Sequence, residues 1–451
     1  MINILIGIAG LGIVVFIHEL GHFIAARLSG IRVLAFSVGW GKPILHKTIG
    51  GVDYRIGMFP VGGYCQMDGE EEYKEALVNG NSEIRRTPGT FWGAHPIKRI
   101  IVSFMGPFFN WLFAVVVLAI VSLVGYSIYT SPNRIVLASD VDSTFSGPAN
   151  IAGLETGDII LSINGRETKT SQDISRIIAE NPDKDLQMQI LRDKTRVDLT
   201  VKPSLDKDSG AGKIGVYFWI DPLVEQVSAA SPAAIAGIKK GDYILSVNGI
   251  PVSQQMDFFK ALDSKPGTLQ LRYARGELIE ETELVISWND NEVNTNVAGI
   301  SFALEEQHIK ESNLFTAFGS SVKEVQSTFI SSFTSLGTLF RGVNLSKAVS
   351  GPLRITHMVG QTTISGFQEG AASGFISLFR FLAYISIVLS LMNLLPIPAL
   401  DGGMIIVFLI ELIIRRPIKT KILYRFQVVG TVIIMALLVL TFISDAFFLM
   451  G

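Results

Sequence analysis

The sequence is almost without cysteine. Cys65 is the one thiol in 451 residues, so no disulfide forms within the chain and a disulfide-stapled scaffold is excluded. Charge is also scarce. Asp, Glu, Lys and Arg make up 17%, against about a quarter in ordinary soluble domains. There is no surplus of positive charge. The net charge is −2, which gives nucleic-acid binding no support. No Lys or Arg precedes Arg27, so the apolar amino-terminal stretch lacks the basic start of a cleaved signal peptide and reads as a retained span. What is abundant is apolar: 48% of residues, with a mean hydropathy of +0.41. That composition points to an integral membrane protein carrying soluble parts.

Hydropathy predicts four membrane segments, at about residues 4–26, 98–126, within 374–414, and 426–448. Basic residues set the expected orientation. Ten Lys and Arg lie in 27–99 and five in 415–425, while none precedes the first span. The positive-inside rule then places those two segments in the cytoplasm, with both termini and the polar stretch 127–373 outside.

The first span contains His18-Glu19-Leu20-Gly21-His22, an H-E-x-x-H pattern. Residues four apart share a helix face, so both imidazoles point the same way. That suits two ligands of one zinc ion, with Glu19 beside them as general base. Ionisable groups inside a span are costly and mark function. His18 lies about 21 Å along the helix from Ile4, which places the motif in the cytoplasmic half of a core of about 30 Å. The 41 residues of 374–414 are too long for one simple span, and Asn393-Leu394-Leu395-Pro396-Ile397-Pro398-Ala399-Leu400-Asp401-Gly402-Gly403 should interrupt the helix there. Asp401 is the only acid between Glu369 and Glu411. It suits the missing oxygen ligand, and it equally suits the start of the following helix. His46, His95, His308 and His357 have no partner spacing and read as surface or interfacial residues.

The outer segment repeats itself. Pro148–Gly165 recurs 84 residues later as Pro232–Gly249, with 12 of 18 positions identical. Two small domains in tandem follow, at 127–221 and 222–308. Gly-Asp, an apolar run and Asn-Gly read as a turn, a strand and a tight hairpin turn.

These residues together resemble the site-2 protease family of intramembrane zinc metalloproteases, in its bacterial branch with tandem PDZ domains. H-E-x-x-H in the first span, N-x-x-P-x-P-x-L-D-G-G in the third and the intervening repeats carry the resemblance across nearly the whole chain. Gly106-Pro107-Phe108-Phe109-Asn110 also matches the family's G-P-x-x-N, while Met404 departs from the His that close relatives often carry. The resemblance implies a polytopic α-helical protein of the bacterial inner membrane with a membrane-associated β-hairpin and two periplasmic PDZ domains. The domain plan is then 1–126 (first span, re-entrant β segment 31–67, cytoplasmic loop, second span), 127–221 and 222–308 (PDZ), 309–373 (amphipathic helical linker) and 374–451 (third and fourth spans). It makes His18, His22 and Asp401 the ligands of one Zn2+ and Glu19 the catalytic base. Asn393, with Pro396 and Pro398, would face substrate. The substrates implied are single-span proteins already stripped of their outer domain: an anti-sigma factor in regulated proteolysis, or remnant signal peptides. The alternative is an inactive membrane scaffold gripping periplasmic tails through its PDZ pair.

Val52–Met67 has β-prone runs around Gly62, Gly63 and Tyr64. It reads as a re-entrant hairpin whose edge pairs with extended substrate, or as an ordinary cytoplasmic hairpin. Ile151, Ala152 and Gly153, with Ile235, Ala236 and Gly237, are the candidate peptide grooves of the two repeats. Phe315, Phe318, Val322, Val325, Phe329, Phe333, Leu336 and Phe340 form one helical stripe, facing either the membrane and spans or the second repeat. Glu70-Glu71-Glu72 reads as a solvated loop.

Overall fold

The computed structural model describes residues 2–262, 267–287, 297–338, 342–344 and 351–450. The chain forms two compact units, Met1–Tyr126 with Ile309–Gly451, and Ser127–His308.

The first unit is built on helices. They are α1 (Ile2–Leu28), α2 (Pro96–Val124), α3 (Leu314–Thr338), α4 (Pro352–Glu369), α5 (Ala371–Leu394), α6 (Asp401–Ile414) and α7 (Thr420–Met450). Four of them, within α1, α2, α5 and α7, are long and apolar enough to cross a membrane. Their polar contacts are internal, as a hydrocarbon surrounding requires. Ser386 and Ser390, one turn apart on α5, donate to the α2 carbonyls of Asn110 (3.0 Å) and Pro107 (2.8 Å). These are second donors to carbonyls that already belong to the helix; the carbonyl that loses its donor to Pro107 is that of Ser103, one turn earlier. Gly21 lets α1 press on α2: a Cβ there would collide with the Met105 carbonyl.

The apolar region 374–414 splits in two, as its prolines predict. α5 stops at Leu394, the chain runs irregularly to Leu400, and α6 begins at Asp401. α6 has 14 residues and rises about 21 Å, less than a bilayer core. Gly402 and Gly403 are required by the fold-back. A Cβ on either would strike the carbonyls of Leu394 or Ile397.

Between α1 and α2 runs a long antiparallel hairpin, β1 (Val33–Ile49) with β2 (Val52–Met67), its register broken by several bulges. The hairpin folds back on itself: Ala35–Val38 pair with Asp53–Ile56 on one side and Gly63–Gln66 on the other, so the turn residue Val52 is buried with Val33 and Phe36 beside α1 and Val102 of α2. Its outer half exposes Trp40, Ile44, Leu45, Met58 and Phe59. A contiguous apolar patch of this kind marks an interaction surface.

The stripe on α3 turns toward the spans. Val325 is fully buried, and Val322 and Phe329 pack beside it on a core shared with α2 and α5. Phe315 and Phe333 stay exposed, and Phe340 lies outside the described residues. Glu70-Glu71-Glu72 is a correction to the loop expected there. These residues open the helix Glu70–Val78, where three carboxylates favour the positive end of the helix dipole.

The second unit holds the repeats, each with a four-stranded sheet of the same order. The first has β3 (Ile159–Ile163), β4 (Arg166–Glu167), β5 (Leu186–Arg192) and β6 (Thr195–Val201), ordered β4-β3-β5-β6. The second has β7 (Tyr243–Val247), β8 (Ile250–Pro251), β9 (Thr268–Arg275) and β10 (Leu278–Val285), ordered β8-β7-β9-β10. The repeated residues are scaffold. Asn164 and Asn248 take positive φ (50° and 51°) in their hairpin turns. Asp158 and Asp242 are buried and each grips an arginine of its sheet, Arg192 (2.8 and 2.7 Å) and Arg275 (2.7 Å twice).

Candidate active site

α1 delivers His18 and His22 to one face, and the break before α6 delivers Asp401 to the same point. The two Nε2 atoms are 3.2 Å apart. Asp401 Oδ2 lies 3.2 Å from His18 Nε2, and Oδ1 lies 3.5 Å from His22 Nε2. For a tetrahedral ion with bonds of about 2.0–2.1 Å, ligand atoms stand roughly 3.3 Å apart. The three donors already have that spacing. Both histidines are buried, and Asp401 keeps 21% of its side chain exposed.

The histidines are held from behind. His22 Nδ1 bonds the Val102 carbonyl at 2.8 Å, an acceptor only, so Nδ1 carries the hydrogen and Nε2 offers its lone pair inward. His18 Nδ1 meets the Asn110 amide at 3.3 Å, and the opposite amide atom, Oδ1, is buried without a partner. Turning that amide over places Oδ1 on His18 Nδ1–H, ends the unsatisfied oxygen and frees His18 Nε2 as a ligand. The residues fit a metal. Gly106 makes room for the pair, since a Cβ there would run into both rings.

Asn110 and Gly106 therefore matter here, though the sequence reading gave neither a role. A signal existed. Asn110 is the only Asn or Gln within 98–126, and an amide inside a span needs a reason.

Glu19 sits on the turn between the histidines. Its charge reaches His22 and Cys65, and its Cγ lies 3.5 Å from where a Cβ on Gly63 would be. The β2 segment Gly62-Gly63-Tyr64 thus passes beside the catalytic candidate. Gly62 has φ 83°, and Tyr64 packs on Trp40 at 5.8 Å. Asn393, at the end of α5, brings its Nδ2 to 3.5 Å from His18 Nε2. Pro396 is exposed in the break, while Pro398 is pressed against Gly430 of α7.

The six repeat residues named as grooves lie elsewhere. Ile151 and Ile235 are 84% and 81% exposed at the ends of two single-turn helices. Gly153 and Gly237 give their carbonyls to Arg192 (2.7 Å) and Arg275 (2.8 Å). The first repeat does hold a cavity of about 670 Å³, lined by residues including Ser175 and Ile178 of the helix Ser171–Glu180, and Ile214 and Tyr217. In the second repeat the corresponding helix is packed shut, with Phe258 and Phe259 against Phe302 at 5.5 and 6.0 Å.

The profile described as Peptidase family M50 matches residues 6–437. A protein named "Putative zinc metalloprotease" from Treponema pallidum (strain Nichols) is 35% identical over 451 residues, all of both chains. One of the same name from Borreliella burgdorferi is 29% identical over 434 residues, 95% of this chain and 94% of its own. The Regulator of sigma-E protease RseP of Salmonella typhimurium is 27% identical over 468 residues, 98% of each chain.

Proposed function

The chain belongs to peptidase family M50, a family of zinc metalloproteases, and from that premise we propose that it is an intramembrane endopeptidase of multi-pass topology. The observation that carries the proposal is the convergence of His18, His22 and Asp401 beside Glu19, inside a bundle of apolar helices. His18 Nε2, His22 Nε2 and one Asp401 oxygen would hold the zinc. Bound there, zinc acidifies a water and polarises a carbonyl.

The remaining chemistry belongs to the chain's own side chains. Glu19 accepts the proton of the attacking water, and the water oxygen bonds to the scissile carbonyl carbon. As the C–N bond breaks, Glu19 returns the proton to the leaving nitrogen. Asn393, beside His18, is placed to donate to the carbonyl oxygen as negative charge builds on it. A helical substrate must first unwind, because its carbonyls are bonded within the helix. Among the described residues the Gly63–Met67 stretch of β2 pairs with β1 on one side only, which leaves its other edge free, and Gly62-Gly63-Tyr64 runs beside Glu19. An extended substrate segment adding to that edge would have its backbone drawn out next to the base.

The substrates we propose are single-span proteins of the inner membrane whose periplasmic domain has been removed. An anti-sigma factor is the physiological example that the RseP likeness supports. The repeats would be periplasmic PDZ domains, and the open cavity of the first supports peptide binding there more than in the closed second. The test is a tagged single-span reporter, offered to the purified protein in proteoliposomes with and without its outer domain. Cleavage within the transmembrane segment of the trimmed form is expected. Cleavage confined to residues outside the bilayer would refute the proposal.

A further inference from the structure

At the opposite end of α6 from Asp401 lies a second polar pocket, of about 320 Å³. That is the lower end of the range of small-molecule sites, about 300–1,000 Å³. Arg86, His95, Arg415 and Arg416 line it, with one acid, Glu411. The acid is already committed. Its Oε2 receives Arg99 Nη2 at 2.5 Å, and its Oε1 accepts the Ile418 amide at 2.9 Å. Arg86, Arg415 and Arg416 enter no ion pair among the described residues. The pocket is thus cationic and unbalanced.

The backbone adds to that field. α2, 29 residues long, starts at Pro96 on the pocket's wall, so the positive end of its dipole faces the cavity. His95 caps that start, its Nδ1 accepting the Ile97 amide at 3.3 Å. α6 ends with Arg415 in the left-handed conformation (φ 56°), a position that favours glycine, and Pro417 follows. A charged side chain is kept where the backbone would prefer none.

Apolar surface begins beside the charge. Ile97 and Ile101 on α2 are 48% and 45% exposed, and Ile413 and Ile414 at the end of α6 are 79% and 57% exposed. A ligand matching both surfaces has an anionic head and an apolar tail. We propose that this pocket binds the phosphate of an anionic phospholipid, with the acyl chains lying along the isoleucines of α2 and α6. The arginines give the paired, planar donors that phosphate oxygens take, and a basic pocket between helices at a membrane face is the expected form of such a site. The bound lipid would bridge the start of α2 and the end of α6, the two helices that carry Asn110 and Asp401.

The full chain, purified in detergent, is titrated with phosphatidylglycerol and, separately, phosphatidylcholine, and bound lipid is read by native mass spectrometry. Phosphatidylglycerol should be retained preferentially. Arg416→Gln should weaken it roughly five-fold, as about one basic contact is worth, and Arg86→Gln/Arg415→Gln/Arg416→Gln should weaken it further. The triple lysine variant, which keeps the charge but not the paired donors, should still hold the lipid, more weakly than the wild type and more tightly than the triple glutamine variant. Zinc content close to that of the wild type certifies that a variant is folded, since none of these residues is at the metal centre. Inorganic phosphate at millimolar concentration should not displace the lipid. Equal retention of both lipids would overturn the proposal, as would unchanged retention in the folded glutamine variant, loss of lipid in the folded lysine variant, or displacement by inorganic phosphate alone.

Discussion

The two ends of α6 carry carboxylates held in opposite ways. Glu411, near its end, is 6% exposed and fully answered, by Arg99 and by the Ile418 amide. Arg99 is itself buried and stacks over Phe408 at 4.6 Å. Asp401, at the start, faces two imidazole nitrogens whose backs are already fixed, and no arginine or lysine pairs with it among the described residues. One carboxylate is a strut. The other belongs to a cluster that could hold a metal ion. The difference shows two uses of scarce charge: paired to a permanent cation a carboxylate ties helices together, and set between two imidazoles it is placed to hold a metal ion.

Changes at the two ends should therefore have separable effects. The largest expected effect is on turnover. Glu19→Gln should lower cleavage of a trimmed reporter by about 10²–10⁴-fold, the usual worth of a general base, while leaving bound zinc unchanged. A variant that still cuts at the wild-type rate would remove Glu19 from the chemistry. Asn110→Leu deletes the amide behind His18, and zinc affinity measured by chelator competition should fall about 10–100-fold. Wild-type affinity would mean that Asn110 only packs.

At the other end, Glu411→Ala strands Arg99 in the interior. Breaking such a buried pair costs about 3–5 kcal/mol, read as a lower unfolding temperature in detergent, with zinc per folded chain unchanged. Loss of zinc without loss of stability would reverse the assignment of the two ends. The smallest effect concerns the second repeat. Burial raises the Asp242 carboxyl, but the hydrogen bonds of Arg275 and the Lys239 amide outweigh it and hold the group below its ordinary 3.8. Its contribution is present above pH 3.8 and drains away as pH falls through the lower folded value. Amide exchange in Tyr243–Val247 should accelerate only under that acid condition, and Asp242→Asn should abolish the dependence.

Much of the site was legible because its signals are local or chemically rare. His18 and His22 are one helical turn apart, and Asp401 is the lone acid in an apolar region broken by Pro396 and Pro398. The turn signals of the repeats, Gly157-Asp158 and Asn164-Gly165, were likewise readable, since each demands its own backbone geometry. What stayed hidden depends on contacts between distant segments. Arg99 pairs with Glu411 across 312 positions, and Asn110 reaches His18 across 92. The repeat residues offered as grooves are not among those lining the cavity of the first repeat. Repetition marked the scaffold that both domains share, while the cavity of the first is lined partly by the 211–218 stretch, outside the matching segment. Glu70-Glu71-Glu72 read as loop because charge density alone does not tell a solvated turn from a helix start.

Zinc content is the direct test of the claim that Asp401 completes a zinc centre with His18 and His22. Purified wild-type chain should carry about one zinc, as three protein ligands and one open position require, and Asp401→Ala, folded and purified alongside it, should carry almost none. Stoichiometric zinc in Asp401→Ala would contradict the claim.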